Sequence, residues 1–336
     1  MSDISFKLTA ASHVGLVRTN NEDNFIVNPD LTQGKWEAPE DPDAIIPLGE
    51  HGCLLVVADG MGGMNAGEVA SELAITGIRK AFDQIEDYSK ITDTPSHIES
   101  FLKKIIVNAD ADIKKRVKED PATSGMGTTI VVVWILENVA HVAWCGDSRA
   151  YLFNKNAGLC RLSHDHSYVQ ELVDTGKLDA ELAFDHPNSN IITRSLGDFP
   201  SAAKPDYVCK GLTKGDIVML CSDGLCGLIR DEEIVDIMNQ DYEHIYELRN
   251  ALFQGAFDAG GHDNVTIAML ECIEVQEPEL TRTLTSTVKH RSHPLKWIVI
   301  LLAVLVALAA LAFVAYKMGW IDIQNLSKII PGSLTE

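Results

Sequence analysis

Short apolar runs bounded by turn residues alternate along most of this chain with longer stretches in which apolar positions recur at i, i+3 and i+4. The runs at 53–58 (CLLVVA), 128–135 (TTIVVVWI), 139–145 (VAHVAWC), 217–221 (IVMLC) and 265–270 (VTIAML) read as strands. Several are apolar at successive positions, so both of their faces are expected to be covered and each strand to lie between layers. The stretches near 67–86, 97–118, 231–239 and 243–259 carry the 3.6-residue period and read as helices flanking those sheets. Only Leu136, Glu137 and Asn138 separate the second strand from the third, a spacing that suits a hairpin. Part of the sheet structure is therefore antiparallel, which favours an α+β fold over a simple doubly wound one.

One apolar run is of another kind. Trp297 to Tyr316 reads WIVILLAVLVALAALAFVAY, 20 residues without a charge, Gly or Pro; as a helix it measures about 30 Å, the thickness of a bilayer core. A buried core helix usually keeps a polar stripe, and this run has none, so it is expected to be a transmembrane helix. Arg282, Lys289, Arg291 and Lys296 precede it and Lys317 and Lys328 follow it. That excess of positive charge before the span places the long N-terminal part in the cytoplasm. The first residues, MSDISFKLTAASHVG, lack the basic-then-apolar pattern of a secretory signal. Between 276 and 296 the chain is rich in Thr, Ser and Pro and shows no periodicity, as a flexible linker does. The expected organisation is a soluble domain at 1–275, a linker at 276–296, a span at 297–316 and a short extracytoplasmic tail at 317–336. The corresponding location is the cell's inner membrane, crossed once, with the large domain in the cytoplasm.

Charge narrows the partners. Over 336 residues, 48 Asp and Glu face 28 Lys and Arg, a formal charge of −20. Such a surface repels phosphate backbones, so nucleic acid is not an expected partner. The seven cysteines form an odd set without a C-x-x-C pair, which suggests neither a disulfide framework nor a zinc ribbon.

The chemistry is carried by aspartates at strand ends. Asp59 follows the run at 53–58 and opens into Gly60-Met61-Gly62-Gly63, where side chains do not crowd and backbone carbonyls are able to reach a cation. Asp223 follows 217–221 and precedes Gly224; Asp147 lies in Gly146-Asp147-Ser148-Arg149; Asp263 lies in Gly260-Gly261-His262-Asp263-Asn264, just before the last strand. A single Asp-Gly is usually a turn. Four at the ends of four packed strands are able to converge on one rim, where their mutual repulsion calls for a cation. Hard oxygen donors select Mg²⁺ or Mn²⁺ over zinc. Upstream, Glu22 and Asp23 add two acids, and Arg18 adds a planar guanidinium suited to bidentate contact with phosphate.

Taken in order, VRTNNEDNF at 17–25, VADGMGG at 57–63, SGMGTT at 124–129, GDSRAY at 146–151, LSHDHSYVQELVDTG at 162–176, ITRSLG at 192–197, SDGL at 222–225 and GHDNVT at 261–266 resemble the metal-dependent protein phosphatases. The resemblance is to the type 2C serine/threonine phosphatases, in their bacterial branch, and it spans roughly 17–270. It implies two antiparallel β-sheets packed face to face with helices outside, an α-β-β-α sandwich. It also implies hydrolysis of phosphoserine and phosphothreonine in proteins by metal-activated water, in opposition to a serine/threonine kinase. Residue by residue, Asp59 matches the carboxylate bridging two Mn²⁺ or Mg²⁺ ions and Gly60 a carbonyl ligand of one. Asp223 and Asp263 match ligands of the other ion, Glu22 and Asp23 match acids acting mostly through bound water, and Arg18 matches the phosphate clamp. Asp147, with Asp223, matches the site of a third, weaker ion, and Asn264 a residue that fixes its loop.

No protein nucleophile is needed in such a reaction. The chain lacks the HC-x5-R arrangement of thiol phosphatases, and Cys145 and Cys221, inside apolar strands, read as buried and inert. One departure from the family pattern is Met61, where many eukaryotic members carry a His proposed to protonate the leaving alcohol. His13, His164, His166 and His262 read as structural or surface residues, which leaves water on the metal as the simpler proton source. The segment 165–190, with a short helix around 169–175, corresponds to the variable flap of the family. The stretch Asn28 to Gly52, with Pro29, Pro39, Pro42 and Pro47, reads as a surface loop. Two other readings remain open from sequence: a catalytically weak relative that binds phosphoproteins, and a metal phosphoesterase for small molecules.

Overall fold

The computed structural model describes residues 4–62 and 66–275. The linker at 276–296, the apolar run at 297–316 and the tail at 317–336 lie outside the described residues, as does Gly63. Among the described residues no helix is long and apolar enough to cross a membrane.

Two sheets carry the fold, and every ladder in them is antiparallel. In the six-stranded sheet, Ser5–His13 pairs along its length with Val265–Glu274. The other side of Val265–Glu274 takes Ile217–Cys221, followed by Arg149–Asn154 and Gly158–Arg161, and Ile46–Pro47 closes the opposite edge. The five-stranded sheet runs in the order Asp206–Gly211, Val139–Cys145, Ile130–Leu136, Cys53–Ala58, Asn24–Asn28.

Successive side chains on a strand point to opposite faces, and in both sheets each face is buried. Leu55, Val57, Val131, Val133 and Val142 of the five-stranded sheet share one core with Phe6, Leu8, Val218, Leu220 and Leu270 of the six-stranded sheet. The alternate residues Leu54, Val56, Val132 and Trp134 pack against Ala70, Ala74 and Ile78 of helix Ala66–Asp83 and Leu102 and Ile106 of helix Pro95–Glu119. On the far side, Tyr151, Phe153, Met219 and Ile267 meet Ile234 of helix Asp231–Met238 and Leu248 and Leu252 of helix Ile245–Asp258. The layers are helix, sheet, sheet, helix, and they account for the doubly apolar strands.

Strands 53–58, 139–145 and 217–221 form with the bounds read from sequence, and the four helices shift by no more than three residues at either end. The strand expected at 128–135 is divided. Gly127–Thr128 pairs with Gly60–Met61, and the main strand starts at Ile130. The division falls at Thr129, whose N–H donates to the Asp59 carbonyl (2.8 Å) and whose hydroxyl accepts from the Asp59 N–H (3.1 Å). Ser5–His13, Asn24–Asn28, Arg149–Asn154, Gly158–Arg161 and Asp206–Gly211 are strands that the apolar pattern does not reveal. They are polar or short, and cross-strand pairing rather than local propensity makes them extended. The 28–52 stretch is mostly turns, anchored by buried Leu31 and by the Leu48 N–H on the Ile4 carbonyl (2.9 Å).

Candidate metal centre

Register brings the acids to one rim. In the five-stranded sheet Ala58 pairs with Asn24, Val57 with Val131 and Ile130 with Cys145, so Asp23, Asp59 and Asp147 all leave the same edge. In the six-stranded sheet Cys221 pairs with both Ile267 and Arg149, and His13 pairs with Val265, which puts Asp223, Asp263 and the 14–22 loop on one edge as well. Hydrogen bonds lock the two edges together. The Asp23 carboxylate accepts from Ser222 Oγ and Thr266 Oγ1, both at 2.7 Å. Asn264 donates to the carbonyls of Val14 and Asn20 (2.9 Å each) and accepts from the Glu22 N–H (2.8 Å). It fixes the loop, as expected from sequence.

Two glycines allow this approach. A Cβ on Gly60 would stand 2.3 Å from the Gly67 carbonyl oxygen and 2.4 Å from that of Glu22. Gly15, at φ +82°, would place a Cβ 2.1 Å from the Asp263 carbonyl oxygen.

The resulting charge is one-sided. Burial, first, and the charges of Asp223 and Asp23 push the Asp59 carboxyl well above its ordinary range. Burial and then Asp223 do the same to Asp147, and burial and then Asp263 raise Asp223. Asp23 rises to about 7, with burial outweighing the two hydroxyl hydrogen bonds. Glu22 is raised more weakly, again by burial, against the pull of Arg18. Asp147 Oδ1 is buried without a hydrogen-bond partner. The Arg18 guanidinium, half exposed, meets the Asp263 carboxylate at 2.8 Å. The acids are electrostatic neighbours rather than a closed cage; among the described residues no three His, Cys, Asp or Glu side chains are so assembled. Carboxylates gathered at one rim whose charge is opposed chiefly by burial, one of them with an orphaned oxygen, fit hard divalent cations.

Sequence reasoning assigned no role to several neighbours. Arg149, two residues past Asp147, forks onto Asp165 through Nε (3.0 Å) and Nη2 (2.7 Å), and its Nη1 reaches Tyr151 (2.8 Å). It thereby ties the start of the 165–190 segment to the rim; the GDSRAY motif was the only signal. Ser222, beside Asp223 in SDGL, is another. His166 is buried: Nδ1 accepts from the Gly146 N–H (3.1 Å), Nε2 faces Asp206 (3.0 Å), and burial pushes its pKa down. That is a structural histidine, and the exposed His164 pairs with Asp174 at 2.8 Å. Cys145 and Cys221 are buried, and burial raises the Cys145 thiol to about 12.

A cleft of about 600 Å³ opens beside the acids, walled by Asp147, Asp223 and Asp263 on one side and Ser167, Ala183 and Asn190 on the other. Helix Tyr168–Asp174 belongs to that second wall, capped by Ser167, whose hydroxyl accepts from the Gln170 N–H. A cavity of about 690 Å³ between Trp36, His51, Phe82 and Tyr88 is lined by none of the rim acids.

Comparison with known proteins gives the same direction. The family model described as protein phosphatase 2C matches residues 11–265. The protein phosphatase PhpP of Streptococcus pneumoniae is 34% identical over 273 residues, covering 80% of this chain and 98% of its own. The crystal structure of the serine/threonine phosphatase Stp1 from Staphylococcus aureus matches with a TM-score of 0.66 at 31% identity, over 80% of this chain and 95% of that one. The catalytic domain of the serine/threonine protein phosphatase PstP, solved in complex with two manganese ions, matches with a TM-score of 0.62 at 29% identity, over 81% of this chain and all of that one.

Proposed function

The chain belongs to the protein phosphatase 2C family and is a metal-dependent serine/threonine protein phosphatase, and from that premise we propose how its own residues serve the reaction and where it acts. Asp59, Asp223, Asp263 and the Gly60 carbonyl would hold two Mn²⁺ or Mg²⁺ ions, Asp59 being the ligand common to both. Glu22 and Asp23 would hold them through water, and Asp147 with Asp223 would take a third, weaker ion. The observation that carries this reading is the convergence of Asp23, Asp59, Asp147 and Asp223 on one rim, Asp23 and Asp147 buried and Asp59 and Asp223 part-buried, with Asp147 Oδ1 unpartnered.

When bound, the ions supply an acidified water for in-line attack and offset the charge of the phosphoryl oxygens. Arg18, braced by Asp263 yet half exposed, orients the phosphate through two N–H groups. Asn264 holds Glu22 and the loop bearing Arg18 in register with Asp263. Met61 offers no proton, so the leaving alcohol takes its proton from water.

The substrates are phosphorylated cytoplasmic proteins made by an opposing serine/threonine kinase, and the 297–316 run anchors the enzyme in the membrane. Support for the anchor is the uncharged 20-residue run and the basic residues before it.

The test is phosphate release by the full chain from a phosphothreonine protein and from a nucleotide, with Mn²⁺ and with EDTA. Mn²⁺-dependent release from the protein substrate is expected. Release confined to the nucleotide would overturn the phosphoprotein reading, and release undiminished by EDTA would overturn the metal assignment.

A further inference from the structure

Among the described residues, the large apolar side chains that stay exposed are Leu16, Val17, Ile45, Tyr168, Leu182 and Ile191. Tyr168, Leu182 and Ile191 lie on the 165–191 segment, whose neighbours Ser167, Val169, Glu181 and Asn190 form the cleft wall. Leu16 and Val17, each 61% exposed, directly precede Arg18, whose guanidinium meets the carboxylate of Asp263 in the cleft wall.

The Leu16 end of this pair is anchored. The Leu16 N–H donates to the Gly261 carbonyl at 2.8 Å. A Cβ on Gly261 would stand 2.8 Å from Leu16 Cγ, so the Leu16 side chain rests on that glycine. Gly15 is pressed against the Asp263 carbonyl, and Arg18 is paired with the Asp263 carboxylate. Leu16 is thus fixed to the loop that bears Asp263, and the exposed Val17 joins it directly to the Arg18 clamp, on a chain with a formal charge of −20. An exposed apolar patch kept in place by its own backbone marks a contact surface.

We propose that Leu16 and Val17 form an apolar lip that selects phosphopeptides carrying an apolar side chain next to the phosphorylated residue. The proposal rests on Arg18 and the rim acids being the phosphate site. With the phosphate on Arg18, the neighbouring residue of an extended peptide lies over Val17 and Leu16, and an apolar side chain there covers surface that a polar one leaves wet. Discrimination through one apolar contact is about tenfold.

The experiment uses the full chain in detergent with Mn²⁺, four phosphothreonine peptides with Leu or Asn on the N-terminal or C-terminal side of the phosphoresidue, and p-nitrophenyl phosphate as a substrate without flanks. Wild type is expected to prefer Leu on one side by about tenfold in kcat/KM. Val17→Ser and the pair Leu16→Ser with Val17→Ser are expected to lose that preference while hydrolysing p-nitrophenyl phosphate at the wild-type rate. Val17→Leu is expected to keep it. Equal turnover of all four peptides by wild type, or an unchanged preference in the serine variants, would overturn the proposal alone. Hydrolysis of p-nitrophenyl phosphate with no peptide turned over would overturn it together with the phosphoprotein reading.

Discussion

Asp23→Asn is expected to stabilise the fold in EDTA and to weaken it, relative to wild type, in excess Mn²⁺. Asp23 is 6% exposed and ionises near pH 7 in the folded domain, against 3.8 for the ordinary carboxyl, chiefly because burial opposes the charge. The folded state therefore binds this proton more tightly than the unfolded chain does. Its contribution to stability is fully present below about pH 4 and lost as pH rises to about 7. The gap between the two values corresponds to on the order of 4 kcal/mol at pH 8. Asparagine keeps an acceptor for Ser222 and Thr266 but buries an NH₂ without an evident partner, a cost of about 1–3 kcal/mol. The net expectation is a gain of roughly 1–3 kcal/mol at pH 8 and a loss of about the same size at pH 4. Urea denaturation of a fragment ending at Pro278, the limit of the compact N-terminal unit, measures it at both pH values. Saturating Mn²⁺ should then reverse the order, because ligand binding to the folded state favours the variant that keeps the charge. A fragment carrying Asp23→Asn that is no more stable than wild type at pH 8 in EDTA, or is equally advantaged at pH 4, would refute the reasoning.

Three further outcomes are expected. Asp59→Asn removes charge where two ions share it and should abolish Mn²⁺-dependent turnover while leaving the circular dichroism spectrum unchanged; near-normal activity at saturating Mn²⁺ would contradict the bridging role. Asp147→Ala should lower turnover while calorimetric titration still shows the two tighter ions; loss of all metal binding would contradict that ordering. Removing the residues after 275 should release a soluble, active enzyme, whereas the full chain should sediment with membranes, and a tag after Glu336 should be cleaved by protease added outside spheroplasts while the catalytic domain stays protected.

Periodicity alone determined the helices and the doubly apolar strands, because burial on both faces of a sheet demands uninterrupted apolar residues in Cys53–Ala58 and Ile130–Leu136 whatever their partners. The order of acidic motifs along the chain likewise determined the family and the candidate ligands. Ser5–His13 and Asp206–Gly211 were not legible, since their polar residues become strand only by pairing with Val265–Glu274 and Val139–Cys145. The same holds for the site. Sequence placed Asp23 beside Glu22 in a polar stretch, but its carboxylate is covered by Ser222 and Thr266, which lie 199 and 243 residues away. Arg149 was legible as a residue and not as a role, and His166 as structural or surface but not as to its partners, because Asp165, Asp206 and the Gly146 N–H become neighbours only through register and loop packing. Local composition fixes which segments must be buried and which groups carry charge. Which charges end up sharing one dry rim is a long-range property of strand pairing, and it was decided by the tertiary structure.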